Sequence, residues 1–499
     1  MRLDTQERQG VRSESFYSQF LESSCVFPVF RLFLSIHYLF MPVRDPEIEH
    51  EFRRRGALTA KELGDALNAS QPTVSRLISR MGRQVLRLGR GRSTRYAMLR
   101  EIVPHGGTSW PLYVLDSQGK PERVGVLHAL QNRQWALEQD TPWKSLRGGE
   151  FPLGLYPDLP WFLDDLRPQG FLGRAFARAH GRELGFGIDP RLWNADAVLS
   201  SLLRYGQNLA GAFVIGEPML TVVQEQRLIS PQCIPVEHCK EAYPRLAAEM
   251  LAGEWPGSSA AGEQPKFTAC IRTGDHAVQH VIVKFSGRGG RPEDRRWADL
   301  LAAEHLAAVL LGEKGIPASE TRLLEADGRT FLEARRFDRE GAYGRRGLVS
   351  LAAVDAAFFG EPHTPWTAAA TRLCAGGWLS PEDAERLAVL WWFGALIGNT
   401  DMHYGNVSLI LDRTRPLGLA PAYDMLPMLY RPDTEGALPV RPFTPPPPLP
   451  ETMSAWSVAV ELAMVYWSRV AGARNISGSF RKIAGQNGEI LARYRKQFI

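Results

Sequence analysis

The chain has 499 residues, which at ordinary composition corresponds to roughly two to four domains and excludes a single small module. Its hydrophobic content of 44%, charged content of 23% and net charge of +5 are those of an ordinary globular protein rather than a basic nucleic-acid coat, so any contact with nucleic acid has to be local. The five cysteines, Cys25, Cys233, Cys239, Cys270 and Cys374, are odd in number and scattered. They lack the close pairing of a disulfide scaffold, match no common metal-ligand spacing even with His238, and read as belonging to a reducing, cytoplasmic compartment.

Residues 1–45 stand apart from the rest. The stretch 25–43 is strongly apolar but interrupted by Pro28, Arg31 and His37, which makes it a poor spanning helix. Asp4, Glu7 and Glu14 precede it and no small-residue cleavage site follows, which argues against a secretory signal. The segment is expected to be a disordered or docking arm, or sequence upstream of a translation start at Met41, and no membrane contact is expected.

Residues 46–103 predict a winged helix-turn-helix. Leu63, Ala66 and Leu67 share one helical face, with Thr59 at the N-cap and Glu62 at the capping-box position. A turn at Asn68-Ala69 leads to a second helix, which Ser70 can cap and whose first turn suits Pro72. There Val74, Leu77, Ile78 and Met81 form a buried stripe and leave Gln71, Thr73, Ser75, Arg76 and Arg80 facing outward, as a face that reads a major groove requires. Residues 85–98 read as two strands joined by a Gly-Arg hairpin, the wing, which carries Arg90, Arg92 and Arg95. Eight arginines and no acid between positions 76 and 100 give a local phosphate-binding excess. Double-stranded DNA is the expected partner, and the alternative is a solvated basic face or a protein-docking module. A winged helix usually reads a palindrome as a dimer, so a homodimer is expected.

Residues 104–255 predict a small mixed β domain followed by helices, with strands near 110–115 and 123–130 and a tight turn before a helix at 168–174. Residues 256–340 open on the small-residue loop GSSAAGEQPKFTA, which contains Ser259 and Gly262; such a loop can bring backbone N–H groups close to phosphates. After a hairpin expected at 273–275, the strand HVIVKF carries Lys284. A strand lysine of this kind can pair with nucleotide phosphates, although on its own it more often snorkels from a solvent edge.

Residues 341–499 contain an apolar helix at 387–397, ended by Gly398 and followed by NTDMHYGNVSLIL. Asp401 and Asn406 are separated by four residues, the spacing at which an aspartate meets a substrate hydroxyl while the asparagine turns back to a magnesium ion. A β run then leads to PAYDMLP, where Asp424 at a strand end suits a second magnesium contact. Taken singly, either aspartate could merely cap a turn or a helix; lysine, base, asparagine and metal acid in this order are what connects them. The proline-rich stretch 441–450 predicts an extended surface connector before helices that resume near Thr452.

Together GNTDMHYGN, VIVKF, the SSAAGEQPK loop, LEARRFDRE and PAYDMLP resemble the HipA-type serine/threonine kinases of bacterial toxin-antitoxin systems. The resemblance implies an α+β, two-lobed, protein-kinase-like fold, here with a winged helix fused at the N-terminus, that uses ATP and magnesium. By motif it implies Lys284 on the ATP phosphates, Asp401 as catalytic base, Asn406 and Asp424 on magnesium, and His403 shaping the catalytic loop. It further implies Gly262 in the nucleotide loop, autophosphorylation of Ser259, and Glu304 as the partner of Lys284. Implied partners are a protein substrate, such as an aminoacyl-tRNA synthetase or another translation factor, and an antitoxin. Three features depart from the family: Gly405 stands where a lysine is frequent, Arg335 replaces a hinge acid, and the DNA-binding segment is fused. They sustain an alternative reading, a DNA-binding transcriptional regulator whose kinase-like domain senses nucleotide without catalysis.

Overall fold

The computed structural model describes residues 45–102, 106–147, 149–229, 231–252, 264–274 and 277–498. The expectations for the first 44 residues, and those for Ser259 and Gly262, fall outside the described residues.

Three helices, α1 (Asp45–Arg55), α2 (Ala60–Leu67) and α3 (Gln71–Met81), precede an antiparallel pair, β1 (Val85–Leu88) and β2 (Arg95–Met98). The start of α2 is set by a reciprocal capping box. Glu62 N–H donates to Thr59 Oγ1 at 3.2 Å and Thr59 N–H donates to Glu62 Oε2 at 2.7 Å, which satisfies two otherwise orphaned donors. Ser70 stands at the N-cap of α3, but its hydroxyl meets Thr73 Oγ1 at 3.0 Å and caps no backbone N–H. Val74, Leu77 and Met81 close on Ile48, Phe52 and Leu63, while Ile78 is only partly buried at the margin of this core.

The next unit is a five-stranded antiparallel sheet in the order β6-β5-β4-β3-β7. It comprises β3 (Ser109–Leu115), β4 (Pro121–Ala129), β5 (Trp135–Gln139), β6 (Leu155–Tyr156) and β7 (Phe213–Ile215), with α4 (Gly170–Leu184) and α5 (Ala195–Tyr205) inserted before β7 and α6 (Glu217–Leu228) after it. The turn expected before α4 depends on glycine: a Cβ at Gly173 would lie 2.4 Å from the Pro168 carbonyl carbon. The aromatic residues of this unit share one core with the C-terminal helices, as in the edge-on packing of Trp161 against Trp378 at 5.7 Å.

A second five-stranded sheet follows in the order β11-β12-β10-β9-β8. Its elements are β8 (Ile234–Pro235), α7 (Cys239–Leu251), β9 (Lys266–Arg272), β10 (Val278–Phe285), α8 (Pro292–Glu313), β11 (Thr321–Ala326) and β12 (Arg329–Arg335). Side chains alternate across a strand. Val281, Val283 and Phe285 therefore enter a core with Phe267, Phe331 and Tyr243 under α7, and Lys284 emerges on the opposite face, toward α8. The unpaired-cysteine expectation is corrected here, because Cys233 and Cys270 form a disulfide. The chain returns to lay β8 parallel to β9, pairing Ile234 with Ile271, so two cysteines 37 residues apart become neighbours.

The last unit begins with the short strands β13 (Arg339–Glu340), β14 (Gly344–Arg345) and β15 (Leu348–Ser350), followed by α9 (Leu351–Phe358), α10 (Trp366–Ala375) and α11 (Pro381–Leu396). Then come β16 (Ser408–Ile410), β17 (Gly418–Leu419), α12 (Met453–Gly472) and α13 (Gly478–Arg495). The architecture is α+β, and among the described residues no helix is long and apolar enough to cross a membrane.

The proline-rich connector is more firmly seated than its composition suggests. Arg441 Nη1 donates to the carbonyls of Leu429 and Arg431, both at 2.7 Å, and buried Phe443 packs on Trp467 with ring centroids 5.8 Å apart. Phe443→Ala should therefore lower stability by about 3 kcal/mol, the cost of an aromatic-sized cavity. Thermal denaturation checks this, and an unchanged melting temperature would show that the connector is not docked.

Candidate active site

Lys284 lies on the central strand β10, between β9 and β12. Its Nζ donates to Glu304 Oε1 and to Asp424 Oδ1, both at 2.5 Å. The three residues come from β10, α8 and the loop after β17, so the contact ties the second sheet to the C-terminal unit. Lys284 and Glu304 are 6% and 5% exposed. Burial alone would depress the lysine, but the Asp424 and Glu304 carboxylates outweigh it and hold the ammonium above its ordinary range. For Glu304, burial wins over Lys284 and raises the carboxyl. For Asp424 burial works the same way, but Lys284, helped by Lys266, wins and lowers it. Lys266 was not singled out from sequence. Its position opposite Lys284 in the β9–β10 register is what brings its charge to the site.

The loop after α11 is held by amide clasps. Asn399 Oδ1 accepts from Asp401 N–H at 3.0 Å, and its Nδ2 donates to the Asp424 carbonyl at 3.1 Å. Asn406 Nδ2 donates to the Asp401 carbonyl at 2.7 Å, so the amide oxygen is the end of the side chain that could accept from or ligate another group. Asp424 adopts φ of 57°, a left-handed conformation that aspartate tolerates better than most side chains and that is concentrated at functional sites. Buried Asn399, missed from sequence, thus joins the loop carrying Asp401 to the backbone of Asp424.

His403 is exposed, and its Nδ1 accepts from Gly405 N–H at 3.0 Å. In the neutral ring the proton then sits on Nε2, which can donate outward. A Cβ at Gly405 would lie 2.9 Å from both His403 Cε1 and Nδ1, so glycine here is what lets the ring fold back on the loop. The Gly405 carbonyl accepts from Tyr423 OH at 2.9 Å, and Tyr423 in turn accepts from Ser408 Oγ at 2.8 Å. Arg335, at the end of β12, pairs with Glu320 at 2.9 Å on the surface.

At the N-terminal unit Gln71, Ser75, Arg76, Arg80, Arg90 and Arg92 are exposed and Thr73 is half-buried. Two of the expected cations are engaged locally. Arg80 pairs with Asp45, and half-buried Arg95 donates to the Ala57 carbonyl at 2.9 Å and lies 3.5 Å from Glu62. Arg83 and Arg87 of the same unit are also exposed.

Residues 106–224 match the family described as YjjJ-like toxin, middle domain, and residues 258–464 match the HipA-like C-terminal domain. Toxin YjjJ of Escherichia coli (strain K12) is 39% identical over 440 residues, an alignment spanning 87% of this chain and 95% of that protein. The chain belongs to the HipA-type toxins. Among solved structures, this toxin is similar to the Shewanella oneidensis MR-1 toxin-antitoxin complex of HipA, HipB and its operator DNA. The identity is 16%, covering 77% of this chain and 95% of that one, at a TM-score of 0.48. It is also similar to the Helicobacter pylori proinflammatory kinase CtkA, at 11% identity, 48% and 90% coverage and a TM-score of 0.31.

Replacing Lys284 with Met leaves Glu304 and Asp424 as an acid pair without its cation. Without the ammonium, burial and the neighbouring Asp424 carboxylate both raise the Glu304 carboxyl unopposed by Lys284, so the folded state keeps its proton to higher pH than an unfolded glutamate with a pKa of about 4.3 does. The folded state becomes the more proton-rich one, so its stability falls as pH rises. The melting-temperature deficit of Lys284→Met relative to wild type should widen between about pH 5 and about pH 8, toward the roughly 3–5 kcal/mol cost of a broken buried pair. A pH-independent deficit would contradict the buried triad.

Proposed function

We propose that this toxin is an ATP-dependent serine/threonine protein kinase that also binds double-stranded DNA through its N-terminal winged helix. The observation that carries the reading is the convergence of Lys284, Glu304 and Asp424 beside a loop whose Asn406 amide clasps the Asp401 backbone. A lysine shared between two carboxylates is poised to exchange one of them for a phosphate, and the helix glutamate keeps it in place when it does.

In this reading Lys284 orients the ATP phosphates, with Lys266 adding positive charge on the same side. Asp424 and the Asn406 amide oxygen would hold magnesium, a donor set that fits an ion completed by phosphate and water rather than by an all-protein cage. When bound, magnesium supplies neutralisation of phosphate charge. Asp401 accepts the proton of an incoming serine hydroxyl and aligns it for in-line attack on the γ-phosphorus. His403, with Nδ1 satisfied by Gly405, turns Nε2–H toward developing phosphate charge. Ser259, in the sequence preceding β9, is the proposed self-acceptor, and a phosphate there adds nearly two negative charges. The proposed external acceptor is a protein serine. An antitoxin and operator DNA accompany HipA in the Shewanella complex, and the same kinds of partner are proposed for this chain. The nucleotide-sensing alternative draws on Arg335, whose guanidinium stands where the family has a hinge acid and is engaged by Glu320.

The kinase reading is tested by incubating the full chain with ATP and magnesium and following the Ser259 peptide by mass spectrometry. Wild type should gain one phosphate there, and Asp401→Ala should slow its appearance by about 10²–10⁴-fold, the usual contribution of a positioned base. ATP binding without any phosphate would favour the sensing alternative. For DNA, exposed Arg90 and Arg92 should each carry one phosphate contact. The double Arg90→Ala/Arg92→Ala variant should therefore lower the salt dependence of duplex binding by about two in slope, read by fluorescence anisotropy. An unchanged slope would remove the wing from the interface.

A further inference from the structure

A second cluster of charge lies away from the Lys284 triad. The segment following β12 carries Arg336, Asp338 and Arg339, and β14 adds Arg345; all four are buried. Arg336 Nη2 and Arg339 Nη1 both donate to Asp338 Oδ2, at 2.8 and 2.7 Å. Despite burial, the two guanidiniums hold the Asp338 carboxyl down to about 2. The same side chains pin the loop before β7. Arg339 Nη1 donates to the Gly211 carbonyl at 3.0 Å, Arg336 Nη2 donates to the Leu209 carbonyl at 3.1 Å, and Asp338 Oδ2 accepts from Gly211 N–H at 2.9 Å.

Arg345 has no such carboxylate. Its Nη2 donates to the Gln207 carbonyl, while its Nη1 is buried without a partner, as is Gln207 Oε1. Three buried guanidiniums thus face one carboxylate, and three minus one leaves an excess of two positive charges. Leaving that excess unneutralised in a protein interior is costly. Burial and the neighbouring Arg336 charge work against the cationic form of Arg345 and outweigh the attraction of Asp338, yet a guanidinium stays charged at neutral pH.

These arginines line a cavity of about 370 Å³ that also touches Gln207, His280 and Cys270. Lys284, Asp401, Asn406 and Asp424 do not line it. His280 is four residues before Lys284 on β10, so the cavity opens on the same face of the sheet, about 13 Å further along. We propose that this cavity is a second ligand site that binds a phosphorylated small molecule, with Arg345 as its principal anchor. Arg227 also lines the cavity, so the cationic excess is at least two, and a multiply charged phosphate matches it better than a single carboxylate does. Planar guanidiniums suit phosphate oxygens in paired hydrogen bonds. The volume exceeds a bare phosphate and lies at the small end of metabolite sites.

The site is independent of phosphotransfer, so its test does not require kinase activity. Melting temperatures of the full chain would be measured against inorganic phosphate, pyrophosphate and adenosine monophosphate, at matched ionic strength in chloride. Wild type should be stabilised in a saturable way. Arg345→Met should be as stable as wild type or more so without ligand, because it removes an unpaired buried charge, yet bind roughly tenfold or more weakly, the loss of one charge-assisted hydrogen bond. Arg345→Gln serves as the second variant should the first not fold, with the same expectation. In Lys284→Met the response should persist. A response to the monophosphate that exceeds that to phosphate, is retained in Lys284→Met and is lost with Arg345 identifies an ester as the ligand, and equal responses identify the free ion. The proposal is overturned if none of the three anions stabilises wild type, if both Arg345 variants respond as wild type does, or if the response disappears in Lys284→Met.

Discussion

The fold turns on one buried ammonium. A lysine taken out of water needs carboxylates close by, and Lys284 finds two, Glu304 twenty residues along the chain and Asp424 a further 120. Satisfying it fixes the face of β10, the register of α8 against the sheet and the conformation of the loop after β17. That loop is then tied to Asn399, Asn399 to Asp401, and Asp401 to Asn406. A single electrostatic requirement therefore propagates through four short contacts into the geometry of the whole candidate site.

Much of the local structure was legible in the sequence because its causes are local. The Thr59 and Glu62 box, the buried stripe of α3, the alternation along β10 and the spacing of Asp401 to Asn406 each depend on residues within one turn or one strand. Glu304 was legible as the lysine's partner only through family resemblance, since nothing in helical periodicity marks one buried acid among several. Long-range contacts were not legible at all. The Cys233–Cys270 bond depends on a parallel return of the chain, Asn399 gains its role only when Asp424 arrives beside it, and the Arg336, Arg339 and Asp338 network needs the loop before β7. On the outward face expected of α3, Gln71, Ser75, Arg76 and Arg80 are exposed, but Thr73 is half-buried and Arg80 is committed to Asp45, on a helix whose pairing with α3 no local pattern predicts.

The two departures at the site have physical consequences of different weight. Gly405 leaves room for the His403 ring to fold back and accept a backbone hydrogen bond, so a larger residue would force that ring to move. Arg335 is satisfied by Glu320 on the surface, outside the buried contacts that hold Lys284. The segment beside it, from Arg336 to Arg339, is instead where the chain leaving the second sheet is bound to the loop before β7 of the first.

The central claim is that the Lys284 triad is a phosphate and metal grip rather than a purely structural ion pair. Calorimetric titration of the full chain with ATP, with and without magnesium, compared between wild type and Asp424→Asn, tests it most directly. The account predicts that magnesium tightens ATP binding to wild type and that Asp424→Asn loses this magnesium-dependent part while still binding nucleotide. An Asp424→Asn variant with the same magnesium dependence as wild type would contradict it.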